Sequence, residues 1–244
     1  MNRLIMAAVA ATGIFAASAA EEQESAQNWR LTVGGLARGS MKARVGELGA
    51  KRCEAYGADL DIQYRAFQSG AFSLWAGVGG TYLPKQRMGS DSFYELDVSD
   101  PDVTIEDGGR GTLDVAIGEC RLLLVPEYAI TECWSVGARV GVAFDWVRAT
   151  VKSSEWSRTD IHVPGMPSVV IPAGPYSETD RFTDFVAQAI LGLQTTYMVT
   201  DNLGLYATVD YRCGGDATFE KGGDRYASLN LDGWCAGAGV VVRF

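Results

Sequence analysis

Residues Trp134-Ser135-Val136-Gly137-Ala138-Arg139-Val140-Gly141-Val142-Ala143-Phe144-Asp145-Trp146 alternate with a period of two. Trp134, Val136, Ala138, Val140, Val142, Phe144 and Trp146 share one parity, set against Arg139, Gly141 and Asp145. Successive side chains of a strand point to opposite faces, so this stretch specifies a long strand with one apolar and one polar side. Trp134 and Trp146 close the apolar stripe at both ends. Aromatic residues placed that way suit the two interfaces of a membrane, and the stripe between them suits hydrocarbon.

The same pattern recurs outward in both directions. Tyr56, Ala58, Leu60, Ile62, Tyr64 and Ala66 oppose Gly57, Asp59, Asp61, Gln63 and Arg65. Leu203, Leu205, Ala207, Val209 and Tyr211 oppose Tyr206, Thr208, Asp210 and Arg212. In all, eight segments read as strands, near 28–38, 54–67, 71–83, 112–130, 134–151, 182–199, 203–212 and 226–244. Two are irregular. In 112–130, Val115 and Ile117 have the opposite parity to Leu122, Leu124, Tyr128 and Ile130, which a β-bulge near Gly118-Glu119 would reconcile. In 182–199, Phe185, Ala189 and Leu193 also fit a helical spacing.

The connections alternate in length. Gln68-Ser69-Gly70, Thr131-Glu132-Cys133 and Thr200-Asp201-Asn202 are hairpin turns, whereas the segments near 39–53, 84–111, 152–181 and 213–225 read as long loops. Short turns at one end and long loops at the other are the mark of an up-and-down barrel in an outer membrane. A soluble sandwich shares the strand alternation but has no reason to alternate its links. On the last strand Trp234 and Phe244 flank Ala236, Ala238, Val240 and Val242. Ten residues at ~3.3 Å each, tilted by about 40°, climb roughly 25 Å, the height of an apolar band. The girdle is therefore expected to contain Trp29, Tyr56, Tyr64, Trp134, Trp146, Tyr211, Trp234 and Phe244.

The start of the chain has a different character. Arg3 precedes an apolar run from Leu4 to Ala17, and Ala17-Ser18-Ala19-Ala20 offers small residues for cleavage. Residues 1–20 are thus expected to be a cleavable signal peptide, 21–27 a short periplasmic segment, and 28–244 the barrel. Of the 244 residues 47% are hydrophobic, which excludes a disordered chain, and a net charge of −9 argues against a nucleic-acid surface. There are 29 glycines and 7 prolines, a balance suited to sheet with tight turns.

The chain ends Val240-Val241-Val242-Arg243-Phe244. Val240, Val242 and Phe244 resemble the terminal signal by which outer-membrane barrels are recognised for assembly. With the leader, the eight strands and the Gly34-Gly35 pair in the first of them, residues 27–244 resemble the small OmpA/OmpX-type barrel superfamily. The resemblance implies an all-β, eight-stranded antiparallel up-and-down transmembrane β-barrel in a bacterial outer membrane. It also implies contact with outer-membrane lipid and lipopolysaccharide, and insertion by the barrel-assembly machinery. A monomer is expected.

A barrel of eight strands has an interior just wide enough for side chains. The inward parity supplies Arg30, Asp59, Asp61, Gln63, Arg65, Arg139, Asp145, Gln188, Gln194, Asp210, Arg212 and Arg243. Both signs are present, so the expected interior is a plug of ion pairs and hydrogen bonds, with a narrow ion path as the alternative. Inward glycines such as Gly77, Gly79, Gly141, Gly237 and Gly239 either make room for larger partners or leave a small cavity.

Catalytic candidates are thin. His162 is the one histidine and lies in an expected loop with Ser153, Ser154, Glu155 and Asp160 near in sequence. A lipid A-modifying enzyme would need it as a base, but the favoured expectation is a non-enzymatic envelope protein whose loops bind external partners. Asp91, Glu95, Asp97, Asp100, Asp102, Glu106 and Asp107 offer oxygen ligands for Ca²⁺ or Mg²⁺, yet match no EF-hand spacing, and neither a metal nor a cofactor is expected. Val169-Val170-Ile171 either belongs to a hairpin above the barrel or forms a contact patch. Five cysteines without a CxxC pair offer no zinc site; a Cys53–Cys213 disulfide is expected, Cys120 and Cys235 face inward, and Cys133 is the lone thiol.

Overall fold

A computed structural model describes residues 28–45, 51–100, 103–162 and 167–244. The expected leader and periplasmic segment lie outside these residues. Ten strands follow in order: β1 Trp29–Val45, β2 Lys51–Ser69, β3 Phe72–Asp100, β4 Val103–Ala129, β5 Trp134–Ile161, β6 Val169–Met198, β7 Leu203–Cys213, β8 Asp216–Lys221, β9 Asp224–Asn230 and β10 Gly233–Arg243. Each of β1 to β7 pairs antiparallel with its neighbour, β7 pairs with β10, and β10 pairs with β1 from Arg30↔Arg243 to Arg38↔Cys235. The result is a closed ring of eight strands, and the ring itself has no free edge. Trp29 and Phe244 exchange two backbone hydrogen bonds of 2.9 Å, zipping the ends of the barrel chain together.

The termini and three short turns mark a near end. At the far end the strands do not stop where loops were expected. β3, β4, β5 and β6 run for 29, 27, 28 and 30 residues. At ~3.3 Å per residue, 28 residues extend about 90 Å along the strand, several times an apolar band. The segments near 39–53, 84–111 and 152–181 are thus mostly antiparallel ladder, paired as far out as Asp100↔Val103 and Ile161↔Val169. The segment near 182–199, whose spacing also fitted a helix, is strand throughout.

The segment read as an eighth strand, 226–244, is two strands, and part of the loop before it is another. β8 and β9 form a hairpin closed by Gly222-Gly223, whose φ values of 65° and 94° supply the two left-handed residues of a tight turn. β9 takes over the place of β10 beside β1. Pairing of β1 with β10 ends at Arg38, the register slips at Gly39-Ser40, where Ser40 has φ 66°, and pairing with β9 begins at Lys42↔Asn230. Asp232 holds the crossing by accepting hydrogen bonds from the N–H groups of Gly214 and Gly215 at 2.8 and 3.1 Å. On the other side β8 meets β6 through Thr218 N–H, which donates to Asp184 at 3.0 Å, and through Lys221, 2.9 Å from Asp180.

The irregular fourth strand has a simple cause. Its pairings run through Ile117, Gly118, Glu119 and Cys120 without a shift on either side, so there is no bulge at Gly118-Glu119. Val115 and Ile117 face inward and are fully buried, while Leu122 and Leu124 face outward with half their surface exposed. The parity of the strand is constant; what reverses is the side that is apolar. β5 shows the same reversal. Val140, Val142 and Phe144 are outward, followed on the same face by exposed Arg148 and Lys152. Arg139 and Asp145 are inward, followed on that face by fully buried Val147, Ala149 and Val151.

The far half is therefore a two-part extension, with β2, β1, β9 and β8 on one side and β3 to β6 on the other, around an ordinary apolar core. Met41, Leu83, Leu113, Val115, Ile117, Val151, Phe219 and Leu229 are packed in one cluster with exposure of 1% or less, and Phe182 and Tyr226 lean against it. Its outer face is polar. Leu113→Ala should destabilise the refolded protein by about 2–5 kcal/mol in urea titrations, as for a buried core residue. The outward Leu122→Ala should cost far less in the same assay.

Candidate functional site

The interior of the near half holds the charged groups. Backbone alternation aims every second residue of each strand inward, and ring closure brings side chains from distant parts of the chain together. Three tiers result. Nearest the termini, the Trp75 ring is fully buried with the guanidinium of Arg30 at 4.2 Å, that of Arg65 at 4.8 Å and that of Arg243 at 6.0 Å from its centroid. Arg30 donates to Glu127 at 2.5 Å and to Gln63 at 2.6 Å. Cations on an indole face are stabilised most when desolvated, and Glu127 supplies the opposing charge.

In the middle tier Arg121 is the hub. It reaches Asp59 and Asp61 at 2.6 Å and Glu119 at 3.0 Å, and donates to Thr81 at 2.8 Å. Arg139 bridges Asp61 at 3.4 Å and Asp210 at 3.0 Å and donates to Gln194 at 3.1 Å. Arg212 pairs with Glu119. Gly79 faces the Asp61 carboxylate and Gly192 the Asp210 carboxylate so closely that a Cβ at either would overlap it. Of the two readings of the inward glycines, Gly79 thus makes room for a larger partner. In the third tier Arg38 donates to Asp145 at 2.9 Å, to Gln188 and to the Leu231 carbonyl at 2.7 Å. The apolar cluster of the far half lies directly beyond.

Each expected lumen residue points into this interior. Arg30, Asp59, Asp61, Gln63, Arg139, Asp145, Gln188, Gln194, Asp210 and Arg212 are buried, whereas Arg65 and Arg243 are half-buried at the near mouth. The sequence reading did not identify Arg38, Glu119, Arg121 and Glu127. Glu119 and Arg121 lie where a bulge was expected to flip the facing. Arg38 was the last residue of an expected strand, though its inward parity with Arg30 was visible.

The aromatic residues Tyr56, Tyr64, Trp134, Tyr211, Trp234 and Phe244 are on the outer face with 39–58% exposure, joined by the less exposed Trp29 and Trp146. Trp146 stacks on Phe185 at 6.0 Å, and Tyr211 meets Trp234 edge-on at 5.2 Å. Val240, Val242 and Phe244 lie on the same face of β10.

The cysteines depart from expectation. All five are free; Cys53 is buried on the inner face and Cys213 is exposed, so the Cys53–Cys213 bridge is not formed. Cys120 is exposed on the outer face, where it shares parity with Leu122 and Leu124, whereas Cys235 is buried inside. Burial pushes the Cys53 thiol up to about 11, against smaller opposing effects of an Ala43 backbone hydrogen bond and Arg38.

The remaining candidates sit at the far end. His162 Nδ1 is 3.0 Å from Ser168 Oγ at the exposed tip of the β5–β6 hairpin, while Ser153 bonds Tyr226 at 3.0 Å. Val169, Val170 and Ile171 pair with Ile161, Asp160 and Thr159 in that hairpin and remain about half exposed. Glu95 and Asp107 are cross-strand partners in the β3–β4 hairpin. Among the described residues no group of three metal-ligating side chains converges, and no helix is long and apolar enough to cross a membrane.

Chemically the interior is a filled network of charges, with seven arginines (30, 38, 65, 121, 139, 212 and 243) against six carboxylates (59, 61, 119, 127, 145 and 210). Removing one partner leaves the others buried and uncompensated. Arg121→Met should cost about 3–5 kcal/mol in urea unfolding. The pair Arg38→Met with Asp145→Leu should be less damaging than the sum of the two single changes. A charged maleimide at pH 8 should modify Cys133, exposed in a turn, at once. It should leave Cys53 unmodified in the folded state, since a thiol near 11 is ionised there in only about one molecule in a thousand.

No family model and no curated protein matches the sequence. Solved structures do. OprG of Pseudomonas aeruginosa is 11% identical, over 89% of this chain and 95% of that one, with a TM-score of 0.45. Ail of Yersinia pestis, in complex with the heparin analogue sucrose octasulfate, is 11% identical over 88% of this chain and 97% of its own, at a TM-score of 0.38. The outer-membrane protease OmpT of Escherichia coli is 10% identical over 92% and 99%, at 0.33. At such identities likeness does not extend to activity.

Proposed function

We propose that this chain spans a bacterial outer membrane as a closed, non-conducting barrel and raises a β-sheet stalk on the outside, whose hairpin tips meet external partners. One observation carries the reading: inside and outside exchange polarity at a single level of the barrel. Below that level the outer face shows Leu60, Val78, Leu122, Val140, Val142, Leu191, Leu193, Leu205 and Val240, each 41–66% exposed, around a charged interior. Above it the outer face carries Lys42, Arg52, Lys85, Arg87, Arg148 and Lys152 around an apolar core. A protein wholly in water would have no use for the first arrangement, and a protein wholly in hydrocarbon none for the second. Closure of the ring satisfies the backbone where no water can.

Side chains fill the ring at both levels, and this favours a structural barrel over an ion path. The apolar cluster would itself be a barrier to ions even if the arginine network rearranged. The tips favour a binding role: Val169, Val170 and Ile171 together with Tyr176 at 72% exposure are costly to leave in water. The aromatic residues on the outer face act as interfacial girdles, and the terminal β10 stripe as the assembly signal. With its single histidine bonded to a serine at a hairpin tip, the chain is read as non-enzymatic.

Two experiments test this. In planar bilayers the purified protein should give no discrete conductance; a stable unitary current would reinstate the channel. Val142→Arg should hinder insertion into bilayers by about 2–4 kcal/mol, the cost of a cation at mid-membrane. Thr150→Arg, on the same face of β5 eight residues further on, should insert like the parent.

A further inference from the structure

The step where β9 replaces β10 beside β1 leaves a notch of about 620 Å³ on the outer face. Its floor is the Tyr211–Trp234 pair, at the top of the apolar band. Its upper wall is basic. Lys42 and Arg44 project outward from β1, and Lys42 lies directly opposite Arg52 on β2. Like charges directly opposed across two strands repel and are destabilising.

Two carboxylates line the same notch, and both are held by neutral donors. Asp216 accepts from Asn230 at 2.7 Å, and Asp232 is committed to the Gly214 and Gly215 backbone. Among the described residues no ion pair is formed by Lys42, Arg44 or Arg52. Elsewhere on the outer face Lys85 and Arg87 are paired with Asp114, and Lys221 with Glu178 and Asp180, whose hydrogen bonds raise its pKa. In a chain of net charge −9, a notch that gathers three cations without ion pairs, against two carboxylates, is a feature to be explained.

From this juxtaposition of a cationic wall, polar sides and an aromatic floor at the rim of the apolar band, we infer that the notch binds the phosphate-bearing headgroup of a membrane lipid. The charged groups match phosphate oxygens, with the guanidinium forks of Arg44 and Arg52 able to bind in bidentate fashion. The neutral donors and acceptors of Ser40, Ser228 and Asn230 face the same space and suit a sugar or glycerol unit. The aromatic floor meets the first acyl carbons, as amphipathic rings do at an interface. A free anion would have no use for the floor, and a soluble polyanion would favour a site away from the membrane rim. The inference rests on the proposed membrane embedding, which fixes the notch at headgroup height.

The test uses the full mature chain in neutral detergent, with bound lipid read by native mass spectrometry. The probes are bis-phosphorylated lipid A, the same lipid dephosphorylated, inorganic phosphate and a soluble sulfated oligosaccharide. The phosphorylated lipid should be retained and the dephosphorylated one lost. The triple variant Lys42→Gln, Arg44→Gln, Arg52→Gln should retain it at least ~tenfold more weakly, given the strength of charge-assisted hydrogen bonds. The double variant Lys85→Gln, Arg87→Gln should behave as the parent. Should the triple variant fail to show heat-modifiable migration, Arg44→Gln alone is used and should weaken binding several-fold.

Equal retention of both lipids, parental binding by the basic-site variants, or equal binding of inorganic phosphate or the sulfated oligosaccharide would each overturn the site. Resistance of the parent to carbonate washing is measured alongside. Release by carbonate would remove the membrane embedding and the site with it, whereas resistance with no selective lipid retention would remove the site alone.

Discussion

A β-strand has two faces, and each must suit what lies against it. When strands close into a ring, one face of all of them looks inward at a space that side chains must fill, and the other looks at whatever surrounds the ring. If the surroundings change from hydrocarbon to water partway up, strands that keep their direction must exchange the character of both faces at that height. This exchange governs β4 and β5 here. Glu119 and Arg121 give way inwardly to Ile117, Val115 and Leu113, while Leu124 and Leu122 give way outwardly to Gly118, Ala116 and Asp114. The pairings pass through the change without a slipped residue.

Much of the near half was legible because its alternation is uniform. The outward faces of 54–67, 134–146 and 203–212, the eight-stranded count and the three short turns follow from period two and turn chemistry. The far half was hidden by the assumption that the apolar face stays the same. Lys152, Ser153 and Ser154 read as loop because the apolar stripe followed along 134–151 ends at Trp146, and Val147, Ala149 and Val151 lie on the other parity. The same assumption turned the reversal in 112–130 into a bulge at Gly118-Glu119, although Arg121 has the parity opposite to the outward Leu122 and Leu124. The β8–β9 hairpin is carried by Gly222-Gly223, a turn signal that was visible but lay inside an expected loop. No local feature marks the exchange of β10 for β9 beside β1, since pairing partners are set by the closed ring.

The charged interior shows why such a barrel can be both polar inside and stable. Each arginine costs several kcal/mol to bury, and compensation comes only from carboxylates and amides held in reach by strands far apart in sequence. Arg38 and Asp145 are separated by 107 residues, and Arg38 and Gln188 by 150. The network therefore forms only when the ring is closed in register, and it penalises any slip. The apolar core of the far half continues the filled interior beyond the charged tiers, and the β3–β4 and β5–β6 hairpins run on past it.

The most direct measurement is an accessibility scan of β5 with single nitroxide labels on its outward positions 136 to 152 in lipid bilayers, comparing collisions with oxygen and with a polar nickel complex. Oxygen should dominate through the positions up to 146 and the nickel complex from 148 onward, with the crossover beside Trp146. Uniform access of the nickel complex along the whole face would contradict the account.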